Sequence, residues 1–362
     1  MTEAELLAGR ELSGLLFAEV VRPILAAGFP SLNYAAALIG TGSEVLGFDD
    51  DMSRDHDFGP RMFIFLRSAD SAAREAIHAA LDRELPTAFR GFAVDMPKSR
   101  LSARFNVDGR QRSHRVIPLV FDEFVAIHFG PSTDISWDVV DWLTVSSQSL
   151  LEFTAGEVFH DGPRELTTWR EHLSWYPHDV WLYLLAAGWQ RIREEEHLWQ
   201  RAGWRGDELG AGVLGARLVR DVIRQCFLIE RRYAPYPKWL GRAFAALACA
   251  REMSPLLQRA LYAGSWPQRG ASLLAAFEML AELHNDLGIT APLATGVAPF
   301  MDRPFPVIYG GRFVRALTEV ISDPVVKALA TNTLIGNVDQ WSDNTLVTDI
   351  SVERPTLRRM YD

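Results

Sequence analysis

Five aspartates fall within nine residues, Asp49 to Asp57, in the stretch GTGSEVLGFDDDMSRDHDFGPR that runs from Gly40 to Arg61. Asp55 and Asp57 flank His56 in a D-x-D arrangement. In an extended strand, alternate side chains of this kind point to one face. Two carboxylates held so close resist joint ionisation unless a cation lies between them. Hard oxygen donors suit Mg²⁺, which keeps part of its water shell and bridges to substrate phosphates. Upstream, Gly42 lets a ligand approach the backbone closely and Ser43 adds a hydroxyl, so the pair reads as a phosphate cradle. Arg54 and Arg61 offer bidentate contacts to phosphate, or they brace the turn by pairing with the aspartates. Asp49, Asp50 and Asp51 read as the solvated tip of a turn, and His56 faces away from the aspartate pair.

Other constellations compete less well. ALIGTGSEV holds a G-x-G-x-x-Val pattern close to a dinucleotide fingerprint, but that motif needs a helix directly after the glycines. GFDDDMSRD is a poor helix. Glu194-x-x-His197 has di-iron spacing on a helix, yet such bundles need two of these motifs and further glutamates. His160-Asp161 and His178-Asp179 are single pairs without ligand spacing, and no Gly-x-Ser-x-Gly nucleophile elbow occurs. RRYAPYPKWLG (231–241) gathers Tyr233, Tyr236, Lys238 and Trp239 at a helix break. It reads either as a packed inter-helix turn or as a platform for nucleotide or acceptor recognition, with Lys238 near a triphosphate.

The elements that must position these residues follow from periodicity. Residues 3–27 carry a helical pattern closed by Pro30. Tyr34 to Gly40 is a short apolar run ending at glycines, a strand or a helix end. FGPRMFIFLR (58–67) reads as a strand, followed by a helix over about 71–85 that Pro86 stops. GFAVDM (91–96) and SHRVIPLVF (113–121) read as two more strands. After Asp134 strands largely give way to helical patterns at 178–203, 207–250 and 269–288. The fold class expected is α+β: a mixed sheet with flanking helices over residues 1–133, then a mostly α-helical domain over 134–362 that contributes to a substrate cleft.

Bulk properties fit two soluble domains. The chain has 362 residues, 48% hydrophobic and 23% charged, and a formal net charge of −9, which argues against an extended nucleic-acid surface. Its two cysteines, Cys226 and Cys249, lie in apolar helical stretches and read as buried hydrophobes, not as a disulfide or a cysteine metal site. The first residues carry acids and no basic n-region, so no signal peptide is expected. No apolar run is long enough to span a bilayer. A cytoplasmic monomer or homodimer is the expectation, with no membrane partner.

Eleven residues separate Ser43 from Asp55. Gly-Ser, about a dozen residues, then Asp-x-Asp and an apolar residue, here Phe58, resembles the signature of the nucleotidyltransferase superfamily, the polymerase-beta-like and kanamycin-nucleotidyltransferase-like group. SRDHDFGPR, WYPHDVWLYLLAAGWQRI, RLVRD and ERRYAPYPKWLG further resemble a bacterial family of nucleotidyltransferase-like proteins defined by sequence. The superfamily resemblance implies transfer of a nucleoside monophosphate from a nucleoside triphosphate, ATP foremost, to a hydroxyl of a small-molecule, tRNA or protein acceptor. It implies two Mg²⁺ ions on Asp55 and Asp57, with Gly42 and Ser43 holding the outgoing phosphates. A third carboxylate from a later strand then helps activate the acceptor. Asp95 is the first choice and Asp122 the second, because mid-strand, where an acid is expected, the sequence reads Ile117-Pro118. If neither serves, a nucleotide-binding module without turnover is the alternative.

Overall fold

The computed structural model describes residues 7–50, 58–97, 112–130, 135–349 and 354–362. The chain divides into two compact units: residues 1–136 with 149–174, and residues 137–148 with 175–362.

The first unit is built on a four-stranded mixed sheet in the order β7-β2-β1-β8. Its helices α1 (Gly9–Leu16) and α2 (Arg22–Gly28) precede β1 (Tyr34–Leu38). The one-turn helix α3 (Ser43–Leu46) follows, then β2 (Met62–Leu66) and α4 (Arg74–Glu84). Two small hairpins come next: β3 (Ala88–Phe89) with β4 (Phe92–Ala93), and β5 (Asp95–Pro97) with β6 (Arg112–His114). The unit then continues through β7 (Val116–Val120), α5 (Phe121–Phe129), α6 (Ser147–Thr154, whose first two residues belong to the second unit), β8 (Glu157–Asp161) and α7 (Glu165–His172).

YAAAL, MFIFL and VIPLV are buried along their whole length, as strands covered on both faces must be. Ala36, Ile64 and Leu66 join Leu12, Leu16, Ile77 and Leu81 in one apolar layer. Phe63 and Phe65 point the other way, onto Phe124 of α5, each with ring centroids 5.0 Å apart. Helices therefore cover both faces of the sheet. β1 runs antiparallel to β2 and β8, whereas β2 and β7 are parallel. Pro118 is tolerated because β7 is an edge strand, where a missing N–H breaks no ladder.

Two expectations need correction. The first unit does not close at residue 133. EVFHD (157–161), beyond the expected boundary, pairs with β1 and supplies the fourth strand. Its weak alternation inside a helical stretch hides it, because the pairing that makes it a strand is tertiary. A helix does follow the glycines directly, but Gly47 in the left-handed region ends it after Leu46, so it remains far short of the helix that a dinucleotide fold requires.

The second unit is helical. The helix α8 (His178–Glu195) is buried without a break from Val180 to Trp189, the mark of a helix enclosed by others. It packs against α10 (Glu208–Ile229) and α14 (Gly311–Val320); α9 (Leu198–Trp204) precedes α10, and α11 (Pro237–Phe244), α12 (Ala250–Leu261) and α13 (Trp266–Asp286) lie between α10 and α14 in the chain. Trp189 stacks on Phe313 with centroids 4.0 Å apart and planes 11° from parallel, and Trp142, Trp181 and Trp199 are also fully buried. The tryptophans are packed helical interfaces. Cys226 and Cys249 are free and buried. Among the described residues no helix is long and apolar enough to cross a membrane.

Candidate functional site

The glycine turn sits where β1 ends. Gly42 adopts φ 137° and ψ 144°, a region that L side chains rarely occupy. A Cβ there would meet Arg61 Nη2 at 2.5 Å and both Glu44 carboxylate oxygens at 2.6 Å. Arg61 is the brace of this turn. Its Nε donates to Glu44 Oε1 at 2.6 Å and its Nη2 to the Thr41 carbonyl, with only 5% of the side chain exposed. Its guanidinium is thus committed to Glu44 and the turn.

Four further bonds fix the loop. The Gly40 N–H donates to the Glu152 carbonyl at 2.9 Å and the Gly156 N–H to the Val45 carbonyl at 3.0 Å. Arg10 Nη2 donates to the same Val45 carbonyl at 2.8 Å, and the Gly9 N–H donates to Asp49 Oδ2 at 2.8 Å. Asp49 therefore ties down the N-terminus of α1, where unpaired N–H groups favour an acid, and is no idle turn tip. Gly156, at φ 72°, must be glycine because a Cβ would overlap the Leu38 carbonyl. The loop is rigid before any ligand arrives, and exposed Gly42 and half-buried Ser43 form its outer edge.

Arg54, Asp55 and Asp57 lie outside the described residues. The chain re-enters the sheet at Met62, and the pairing of Ala37 with Phe63 and Met62 with Val116 fixes what shares that end. The glycine turn, the start of β2 and the start of β7 all lie there. Asp95 stands opposite His114 on the β5–β6 ribbon, which runs into β7, so Asp95 belongs to the same end and is solvent-exposed. Asp122 belongs to the opposite end. It follows β7 by two residues and accepts a hydrogen bond from Ser68 Oγ, which follows β2 by two. Five strand residues, roughly 16 Å, separate that end from the glycine turn. The acid-free strand positions Ile117 and Pro118 are buried in β7 as the sequence indicated.

Lys238 belongs to the second unit. It stands on the first turn of α11 with its ammonium 4.7 Å from the Trp239 ring centroid. The preceding segment is stitched to its surroundings. Ser147 Oγ donates to the Ala234 carbonyl at 2.8 Å, the Tyr236 N–H to Gln148 Oε1 at 2.9 Å, and the Ser147 N–H to Asp339 Oδ2 at 2.6 Å. A cleft of about 80 Å³ is lined by Arg224, Arg232, Tyr233, Tyr236, Asn337 and Asp339 among others. Burial raises the Asp339 carboxyl above its ordinary range, opposed by the Arg224 guanidinium. Burial likewise lowers Arg224 and raises the Tyr233 phenol. Aromatic faces and buried charged groups in one cleft can stack a ring and orient a polar group.

A second cluster escaped the sequence reading. His78 and Asp82, one turn apart on α4, meet His114 of β6. Burial, then the His78 neighbour, lowers His114 to about 4, so its imidazole is neutral at physiological pH. The i,i+4 pair was visible in the helix expected over 71–85, but nothing local announced a third member 32 residues beyond Asp82.

An α+β chain with a mixed-sheet unit carrying a braced glycine turn, joined to a helical unit, is the class these features define. Residues 142–240 match the sequence model of a family described as Domain of unknown function (DUF4037), a region that takes in all but the last residue of the RRYAPYPKWLG segment. No curated protein and no solved structure matches the chain.

Proposed function

We propose that the chain is a metal-dependent nucleotidyltransferase of the cytoplasm, working as a monomer or homodimer. It transfers a nucleoside monophosphate from a triphosphate, ATP foremost, to a hydroxyl of a small-molecule acceptor, with tRNA and protein hydroxyls as further acceptors. The acceptor oxygen bonds to the α-phosphorus, the bond from that phosphorus to the bridging oxygen breaks, and pyrophosphate leaves. The single observation that carries the reading is the Gly42 turn. It is held at positive φ by Arg61 and Glu44, at the sheet end where the chain leaving Asp57 re-enters as β2.

In this reading the Gly42 and Ser43 backbone and the Ser43 hydroxyl hold the outgoing phosphates. The paired carboxylates of Asp55 and Asp57 are a donor set that fits Mg²⁺. Bound there, Mg²⁺ supplies charge neutralisation for the triphosphate and its developing negative charge. Asp95 accepts the proton of the attacking hydroxyl, and Arg54 adds positive charge for the phosphates. Arg61 acts indirectly, by holding the turn. The aromatic cleft of the second unit suits the ring of an acceptor or a base.

A second reading has its own support. Asp95 stands on the ribbon rather than mid-strand in the main sheet, where Ile117 and Pro118 sit. A chain that binds nucleotide without turnover fits that arrangement. Incubation with labelled ATP, GTP, CTP and UTP, Mg²⁺ and a metabolite pool separates the two. Pyrophosphate release lost in Asp55→Ala/Asp57→Ala supports the transferase. Metal-dependent binding without release supports the second reading, and absence of both overturns each.

A further inference from the structure

We propose that His78, Asp82 and His114 form a binding site for a divalent transition-metal ion, Zn²⁺ by preference, separate from Asp55 and Asp57. His78 and Asp82 share one face of α4, since side chains four apart on a helix are neighbours. His114 reaches the same point from β6. His78 Nδ1 lies 3.2 Å from Asp82 Oδ2, and His114 Nε2 lies 3.5 Å from Asp82 Oδ1. The imidazole centroids are 4.7 Å apart with the rings tilted by 36°. One ligand atom from each residue lies within 4.8 Å of the others.

Tetrahedral Zn²⁺ with bonds of about 2.1 Å requires ligand atoms about 3.4 Å from one another. The two measured separations, each to a different oxygen of Asp82, are close to that edge. Two imidazoles and one carboxylate are a nitrogen-rich set, which selects Zn²⁺ and its neighbours over oxygen-seeking Mg²⁺. The His114 side chain is 5% exposed and that of Asp82 24%, so an ion enters from the Asp82 side and water completes its shell there.

The site has a structural consequence. It pins α4 to the ribbon whose other strand begins at Asp95, directly across from His114. An ion at this point fixes the strand that carries the candidate third carboxylate, without itself touching the triphosphate.

The test uses the full chain, stripped with a chelator and titrated with ZnCl₂ by calorimetry and with CoCl₂ by visible spectroscopy. One ion per chain, a tetrahedral Co²⁺ absorption band and a rise in melting temperature are expected. Asp82→Asn and His114→Gln each weaken binding at least ~10-fold, whereas Asp55→Ala/Asp57→Ala leaves it unchanged. Circular dichroism checks that each variant folds. If His114→Gln does not, the solvent-facing Asp82→Asn decides alone. Absence of stoichiometric binding, or binding undiminished by Asp82→Asn, overturns the proposal. A Zn²⁺ site lost with Asp55 and Asp57 instead overturns its separateness.

Discussion

Replacing Gly42 by alanine tests the brace on which the proposed phosphate cradle depends. The added Cβ has two costs. Holding an L residue near φ 137° costs about 1–3 kcal/mol in backbone strain. The methyl group also lands 2.5 Å from Arg61 Nη2 and 2.6 Å from the Glu44 carboxylate, so one or both must move. The two side chains are 5% and 16% exposed, and breaking a buried pair outright costs about 3–5 kcal/mol. Partial relaxation, in which the pair shifts without breaking, keeps the total near 3 kcal/mol, below the ~4–8 kcal/mol that full strain and full loss of the pair would reach. Urea unfolding of the first unit, followed by circular dichroism, reads this as a lower midpoint at unchanged slope. Ser43→Ala is the control, because it removes a hydroxyl without touching the brace, and it should cost under about 0.5 kcal/mol. Calorimetry of triphosphate binding then separates the roles. Gly42→Ala loses both stability and binding, and Ser43→Ala loses binding alone. A Gly42→Ala protein within about 0.5 kcal/mol of wild type would refute the turn geometry.

The two acids left open by the sequence are separated by the register of the sheet. Asp95→Ala should lower pyrophosphate release at least ~10²-fold, and Asp122→Ala should leave it within a factor of two or so; the reverse pattern would move the site to the other end of the sheet. Glu196 gives a pH prediction for the second unit, since burial raises its carboxyl from 4.5 to about 7. A raised folded-state pKa means its favourable contribution is complete below about 4.5 and is lost as pH rises through about 7. Over that window wild type should lose up to about 3 kcal/mol of stability, and Glu196→Gln should flatten the profile. Urea midpoints at three pH values across the window measure it, and equal slopes for both proteins would exclude Glu196 as the cause.

What the sequence disclosed follows from how local each signal was. MFIFL is apolar without interruption because both faces are covered, so β2 was legible from composition alone. The long helix from His178 was legible for the same reason, being buried all round. EVFHD was not legible, because its only claim to being a strand is the β1 edge it completes. The Gly-Ser and D-x-D pattern raised the expectation of phosphate and metal chemistry. The residues that make the turn rigid, Glu44 and Arg61, are ordinary charges 17 positions apart, and only the fold shows them paired. Arg61 was read as a phosphate clamp or a partner of the aspartates because its sequence neighbours are acidic. The fold pairs it with Glu44 across the turn. The His78, Asp82 and His114 cluster shows the same limit, since α4 and β6 meet only through the packed sheet.

The central claim is that Asp55 and Asp57, beside the Gly42 turn, form a metal-dependent triphosphate site. Calorimetric titration of ATP, GTP, CTP and UTP into the full chain, with and without Mg²⁺, tests it most directly. The account predicts that at least one triphosphate binds only when Mg²⁺ is present and that Asp55→Ala/Asp57→Ala weakens it at least ~10-fold. Failure of all four to bind in a Mg²⁺-dependent way, or equal binding by the double variant, would contradict it.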